Sequence, residues 1–357
     1  MLEVSVKKTI GSFKADIIFS QKKGVLSVLG SSGCGKSLTL KLITGLITPD
    51  EGKISLNAKI LFDSKNNINV PTRKRNIGYV FQNYALFPHL TVEENIMFGL
   101  KSLDRRMRKD RTYEIIKKIH LSGLEKRYPG QLSGGQQQRA AIARTLAPEP
   151  DMLLLDEPFS AIDNHIKHFL EIELLEIISN NYHKPVLFVT HNIEEAYRLS
   201  DNIMLIENGN VIQSGRKDKI IDYPSTCNSA RITGCKNIFD AEIVSGSGEI
   251  IEIKSGDLVF KVKKDRAKCV SGKVTACIRA HYVEINAKKN KYNNNTFECR
   301  ITNVIEGVFS TTVLAECGGI SFRAELSKSA IGINELIKNK KTIIRIPEDK
   351  LFLVDRC

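Results

Sequence analysis

Over residues 1–220, short apolar runs alternate with longer segments whose hydrophobic positions recur every three or four residues. That is the rhythm of strands and helices taken in turn, and it predicts an α/β domain. Gly24-Val25-Leu26-Ser27-Val28-Leu29-Gly30 reads as a buried strand running into a turn. The segment from Ser37 to Leu46 follows with Leu38, Leu42, Ile43 and Leu46 at helical spacing. Met152-Leu153-Leu154-Leu155 and Val186-Leu187-Phe188-Val189 are two more short, fully apolar strands, each delivering polar residues at its C-terminal end. Open α/β sheets place their ligands at such ends. Between these runs, Leu100 to Tyr128 is charge-rich with Ile115, Ile116 and Ile119 at helical spacing, which predicts a helical insertion.

After Asp222-Tyr223-Pro224-Ser225-Thr226 the pattern shortens to alternating segments separated by glycine turns, such as Ile250-Ile251-Glu252-Ile253-Lys254-Ser255-Gly256-Asp257. This is β-rich. The region also echoes itself: Asn237-Ile238-Phe239-Asp240-Ala241-Glu242-Ile243 resembles Asn295-Thr296-Phe297-Glu298-Cys299-Arg300-Ile301, and Ile278-Arg279 resembles Ile344-Arg345. The polar joint Lys288 to Asn295 separates the copies, and the reading is two related small β-barrel halves. The expected organisation is a first domain over 1–225 with its helical insertion at about 83–146, a linker over 226–236, and an all-β domain over 237–357.

Composition changes this picture little. At 357 residues the chain exceeds one ordinary domain, and its hydrophobic and charged fractions, 42% and 26%, are globular. No apolar run reaches the ~20 residues that cross a bilayer, and the N-terminus lacks the plan of a secretory signal, so a cytoplasmic protein is expected. The net charge of +13 invites a nucleic-acid or anionic-membrane partner. The basic residues are scattered without interleaved aromatics, so a solvated surface rich in Lys is the preferred reading and no nucleic acid is expected. Seven of the eight cysteines (Cys227, Cys235, Cys269, Cys277, Cys299, Cys317 and Cys357) fall in the last third without a CxxC pair or a His cluster. Free thiols and no structural zinc are expected.

The chemistry lies at the strand ends. Gly30-Ser31-Ser32-Gly33-Cys34-Gly35-Lys36-Ser37 fits G-x-x-x-x-G-K-S between a strand and a helix, a loop whose N–H groups cradle phosphates. Lys36 would reach the β- and γ-phosphates of ATP, and the Ser37 hydroxyl would ligate Mg²⁺. Cys34 is read as a spacer, its thiol acidified by the helix terminus and its alkylation blocking ATP. Asp156 and Glu157 follow the strand 152–155: Asp156 to hold Mg²⁺, Glu157 to orient or deprotonate the attacking water. His191 ends the strand 186–190 and is assigned a contact to the γ-phosphate; Gln82, after Ile77-Gly78-Tyr79-Val80-Phe81, is assigned to Mg²⁺ and water. Leu132-Ser133-Gly134-Gly135-Gln136 precedes a helical run through Leu146 and makes a second anion site from Ser133, Gly134, Gly135 and Gln136. It has no Lys and no metal-binding hydroxyl pair, so it can only close over a phosphate bound elsewhere.

With these residues in place, roughly the first 225 closely resemble the ATP-binding subunits of ATP-binding cassette transporters. Gly30 to Ser37 looks like Walker A, Gln82 the Q-loop, Leu132 to Gln136 the family signature and Met152 to Glu157 Walker B. Ser160-Ala161-Ile162-Asp163 looks like the D-loop and His191 the switch histidine. The resemblance implies a P-loop cassette with a helical subdomain and a head-to-tail homodimer in which each signature caps the ATP of the other subunit. Further partners would be integral membrane permease subunits, docked at Asn83 to Asn95, and through them a substrate-binding protein. The chain would then work peripherally, on the cytoplasmic face of the cell membrane. Where the family stacks adenine on Tyr, only Phe13 is at hand, on a strand that looks short. The C-terminal repeat is similar to the oxyanion-binding barrels appended to importer ATPases, with Ile278-Arg279-Ala280-His281 resembling a motif of that extension and Thr302 to Val308 resembling the molybdate-binding type of barrel. A molybdate importer is therefore the expectation, with tungstate, sulfate, ferric-ion and polyamine importers sharing most of these features. The all-β domain either senses an oxyanion, through Ser310, Thr311 and Thr312, or serves only as a dimer scaffold.

Overall fold

The computed structural model describes residues 1–100, 103–160, 164–182, 184–267, 272–285, 294–328 and 338–356, without the side chains of 164–166, 179–181 and 247. Ala161, Ile162, Asp163, Cys269, Cys357 and most of the polar joint lie outside them. The chain divides into two units, Met1–Lys217 and Asp218–Cys357.

In the first unit the strands are β1 (Leu2–Ile10), β2 (Phe13–Gln21), β3 (Val25–Leu29), β4 (Glu51–Leu56), β5 (Lys59–Asp63), β6 (Ile68–Asn69), β7 (Ile77–Val80), β8 (Met152–Asp156), β9 (Val186–Thr190), β10 (Asn202–Glu207) and β11 (Asn210–Arg216). The helices are α1 (Lys36–Thr44), α2 (Val92–Phe98), α3 (Arg105–Lys118), α4 (Gly134–Leu146), α5 (Asn164–Asn181) and α6 (Ile193–Leu199). One sheet runs β6-β5-β4-β1-β2-β11-β10-β3-β9-β8-β7. Its β10-β3-β9-β8-β7 half is parallel throughout. β3, β8 and β9 are buried at every residue because both faces are covered: Leu153, Leu155 and Phe188 pack among α2 to α5, while Leu154, Leu187 and Val189 pack against α1 and the antiparallel strands. Burial on both faces is why these strands read as unbroken apolar runs.

Two expectations change here. Helix α1 ends at Thr44 because Gly45, at φ 78°, takes the left-handed cap, so Leu46 falls outside the helix and is 50% exposed. The first strand is not short: β1 and β2 are nine residues each and pair along their whole length, closing at Ile10 and Phe13. The insertion holds α2, α3 and α4, and Ile115, Ile116 and Ile119 are buried as their spacing requires.

The second unit is all-β of barrel type apart from short helical turns, among them Cys227–Ile232. Two antiparallel five-stranded sheets share one core, to which Ile251, Phe260 and Ala276 contribute from one sheet and Ala315, Phe322 and Ile344 from the other. The sheets follow one plan. Each centres on an eleven-residue strand, Asn237–Ser247 or Thr296–Glu306, whose register shifts in the same place, after Ile243 or Ile301. Each also takes its outermost strand from the other half of the sequence: Phe352–Asp355 pairs with Lys273–Ile278, and Glu284–Ile285 pairs with Lys341–Arg345. Buried Arg279 ties the end of Lys273–Ile278 to the Thr233 and Ile221 carbonyls, at 2.5 Å each.

Not all cysteines are free. Cys299 and Cys317 form a disulfide with Cα atoms 4.6 Å apart, since the hairpin register sets them opposite one another, a relation that sequence spacing does not display. Thr311 belongs to the same strand face as Val313 and Ala315 and is fully buried, with no hydrogen-bond partner for its hydroxyl among the described residues. Neighbouring strand residues point to opposite faces, so Ser310, Thr311 and Thr312 do not converge as three donors.

Candidate nucleotide site

The phosphate loop leaves β3 and enters α1 through Gly35, which sits at φ 108°, a conformation that disfavours any side chain. Among the described residues no side chain caps α1, and its first turn carries no acid, so its leading N–H groups remain available to an anion. Lys36 is 5% exposed, and its ammonium donates to the Gly30 and Ser31 carbonyls at 2.9 Å each. A buried ammonium held by two neutral oxygens fits an anionic ligand.

Cys34 departs from expectation. Its side chain is 3% exposed and turned inward against Gly30, where a Cβ would come within 2.5 Å of the sulfur. Burial pushes the thiol up, outweighing the lowering by Lys36. The thiol is therefore neither acidified nor presented to reagents, and Cys34 offers the loop its backbone only.

Asp156, at the tip of β8, is held at both oxygens. The Ser37 hydroxyl donates to Oδ1 at 2.9 Å and the Tyr79 hydroxyl to Oδ2 at 2.7 Å. Burial, and then the bond to this carboxylate, push the Tyr79 phenol well above its ordinary value. Ser37 and Asp156 together present the hard oxygen donors that suit Mg²⁺. Glu157, the next residue, has φ 44°, unusual for a residue with a side chain. Its carboxylate lies 3.3 Å from His191 Nδ1, at the tip of neighbouring β9. Gln82 donates from Nε2 to Ser160 Oγ at 3.1 Å, and Ser160 donates to the Glu157 carbonyl at 2.9 Å.

Of these groups Lys36, Ser37, Gln82 and Glu157 line one cavity of about 520 Å³ together with Gly33, Gly35, Ile10 and Phe13, whereas Asp156 and His191 are joined to it through Ser37 and Glu157. The Phe13 ring lies over Gly35, where a Cβ would come within 3.3 Å of its edge. Ser31 and Cys34 belong to the same loop; Ser32 lines the cavity with the others.

The second glycine motif is built differently and does not line this cavity. Ser133 caps α4 reciprocally with Gln136: the Ser133 N–H donates to Gln136 Oε1 at 3.0 Å, and the Gln136 N–H to Ser133 Oγ at 3.3 Å. The Ser133 hydroxyl thus accepts, keeping its own proton to donate. Gly135 packs on Leu170, where a Cβ would come within 2.8 Å, whereas Gly134 has open space beside it.

Downstream of Gln82, the fully buried Asn95 fastens the loop. Its Oδ1 accepts from the Phe87 N–H at 2.9 Å, and its Nδ2 donates to the Phe87, Leu90 and Thr91 carbonyls. Phe87 stacks 4.5 Å from Phe98 with the Arg144 guanidinium 5.5 Å above it, and Phe98 remains 43% exposed.

Sequence reasoning missed two supports. Tyr79 was hidden in an apolar strand, though its register beside β8 is the signal that finds it. On the far side, the Thr190 hydroxyl donates to buried Glu195 at 2.6 Å, and Glu195 also pairs with Lys167 of α5. Thr190 Oγ1 accepts from the Asn192 N–H at 3.0 Å, so the residues flanking His191 are bonded to one another.

Residues 17–160 match the ABC transporter family. The molybdenum import ATP-binding protein ModC of Vibrio vulnificus (strain YJ016) is 41% identical over 215 residues, 60% of this chain and 57% of that protein. The chain therefore spans less than two thirds of the length of this relative, as it does of the ModC protein of Haemophilus influenzae, at 63%. A probable sulfate/thiosulfate import ATP-binding protein CysA of Chlorella vulgaris is 42% identical over 240 residues, 65% of this chain and 98% of that protein. A solved dimeric ATP-binding cassette in a post-hydrolysis state, bound to ADP and Pi, superposes with TM-score 0.52 at 30% identity, over 61% of this chain and 99% of that one. A relative and a solved cassette, each matched over nearly all its own length, lead to one assignment: this chain belongs to the ATP-binding cassette family.

Proposed function

We propose that this chain is the ATP-hydrolysing, energy-coupling subunit of an importer, working as a head-to-tail homodimer beneath a membrane permease, on the cytoplasmic face. The observation that carries the reading is one cavity lined by Lys36, Ser37 and Glu157, with Asp156 bonded to Ser37 and His191 in contact with Glu157, and with no carboxylate among the described residues bonded to the buried Lys36. Lys36 and the α1 N–H groups bind the phosphates of ATP, and Phe13 offers its ring to adenine. Ser37, Asp156 and Gln82 are the residues that would hold Mg²⁺, which when bound offsets the charge on the phosphate oxygens. Glu157 orients a water and accepts its proton; His191 holds that carboxylate in place and faces the γ-phosphate.

The signature completes the site from the second copy. Open space beside Gly134 and the unspent donor proton of Ser133 support a surface that a phosphate approaches from outside this chain. Phe87, held by Asn95 and flanked by Phe98 and Arg144, supports a docking groove for the permease downstream of Gln82.

Molybdate, or tungstate, is the substrate favoured here, since ModC proteins are among the relatives and the second unit is a doubled small barrel. The second reading, sulfate, is favoured by the CysA relative aligned over 98% of its length. Ferric-ion and polyamine import are weaker readings, and the second unit would bind an oxyanion or only scaffold the dimer. ATPase activity of the complex reconstituted with permease and binding protein, measured with molybdate, tungstate and sulfate in turn, tests these readings. Stimulation by molybdate or tungstate alone is expected; stimulation by sulfate alone would replace the first reading with the second.

A further inference from the structure

We propose that Tyr79 is a positioning residue for the metal-holding carboxylate, its hydroxyl fixing one oxygen of Asp156 so that the other stays aimed at Ser37. The inference rests on the reading of Asp156 given above. β7 and β8 run parallel with Tyr79 beside Leu154. Residues two apart share a strand face, so Asp156 continues the face of Leu154 one step toward the site and comes within reach of a long side chain at 79. The phenol is the length required: its hydroxyl donates to Asp156 Oδ2 at 2.7 Å while the Ser37 hydroxyl donates to Oδ1 at 2.9 Å. The ring is held in turn, with its centroid 4.3 Å from that of Phe81 and its body packed on the core beneath α1.

A carboxylate on a strand tip can rotate about its terminal bond, and each rotation presents a different lone pair to an ion. Asp156 is 7% exposed, so water does little to steady it. A donor on one oxygen selects the rotation and leaves the opposite oxygen beside Ser37, the partner with which it would share a metal. Hydrogen bonds of this kind commonly set metal affinity by 10–100-fold.

The experiment compares the full-length chain with Y79F, and with Tyr79→Met, which fills the space without a donor. Mn²⁺ affinity is measured by electron paramagnetic resonance on chain saturated with ADP, alongside ADP affinity in excess chelator. Asp156→Asn serves as the reference for loss of the carboxylate. Weaker Mn²⁺ binding in both Tyr79 variants, by about 10–100-fold, with chelator-measured ADP affinity unchanged, is the expected result. Mn²⁺ affinity unchanged in both Tyr79 variants but lost in Asp156→Asn would overturn the role of Tyr79 alone. Equal Mn²⁺ affinity in wild type and Asp156→Asn would overturn the underlying reading of Asp156 and the proposal with it. A variant with chelator-measured ADP affinity reduced as much as Mn²⁺ affinity would show a general structural role and count against the proposal.

Discussion

Glu157 Oε2 meets His191 Nδ1 at 3.3 Å although the two residues leave different strands. The main chain brings this about. The Glu157 N–H donates to the Val189 carbonyl at 3.1 Å, and the left-handed turn at Glu157 swings its side chain across the strand tips toward His191. A carboxylate can only accept, so Nδ1 is the donor in this contact.

Glu157→Gln keeps an acceptor for His191 and removes the base. Turnover should fall by about 10²–10⁴-fold while ATP still binds, leaving a nucleotide-bound dimer that light scattering detects. Phosphate release near the wild-type rate would remove Glu157 from the mechanism.

Phe13→Ala takes away the ring over Gly35. ATP should bind more weakly by about 1–3 kcal/mol, the usual worth of a base stacked on an aromatic side chain. Inorganic triphosphate should bind as before, and titration calorimetry with the two ligands separates stacking from damage to the loop.

Thr190→Val preserves shape and leaves buried Glu195 short of one donor. The first unit should lose about 1–3 kcal/mol, read from urea unfolding by circular dichroism. An unchanged midpoint would mean that Lys167 alone satisfies Glu195.

The Cys34 thiol should resist alkylation near neutral pH in the native chain and react rapidly once denaturant exposes it. Burial raises its pKa above the ordinary 9.0, so the fold favours the protonated form. The stability tied to that proton is full below 9.0 and lost as the pH rises through the higher native value. Mass spectrometry of the Cys34 peptide, sampled along a pH series, tests the direction; fast native labelling at neutral pH would contradict the burial.

Reducing the Cys299–Cys317 bond reopens a loop of 18 residues in sequence separation. The second unit should lose about 3 kcal/mol by the chain-entropy estimate. Peptide mapping without reductant checks the bond itself, because separate peptides would mean free thiols.

The phosphate loop was legible because all its parts are contiguous: strand, glycines, Lys36 and helix come in order, and backbone geometry does the rest. The carboxylates Asp156 and Glu157 were legible for a similar reason, standing where an apolar run stops. Tyr79, Thr190 and Glu195 were not, because their meaning depends on which strand or helix lies beside them. Cys299 and Cys317 were missed on the same ground, since hairpin register brings them together. Cys34 was misread because sequence shows that it lies near a helix terminus but not which way its side chain turns.

The exchange of outermost strands in the second unit has a consequence for biosynthesis. Because Phe352–Asp355 completes the sheet begun at Asn237, Lys273–Ile278 keeps a bare edge until that distant strand has been made. Neither half can be finished from its own contiguous sequence, and a chain cut before Phe352 would present Lys273–Ile278 as an open template for another strand. The same stitching makes the two halves mature together, each sheet waiting on a strand that the other half of the sequence supplies.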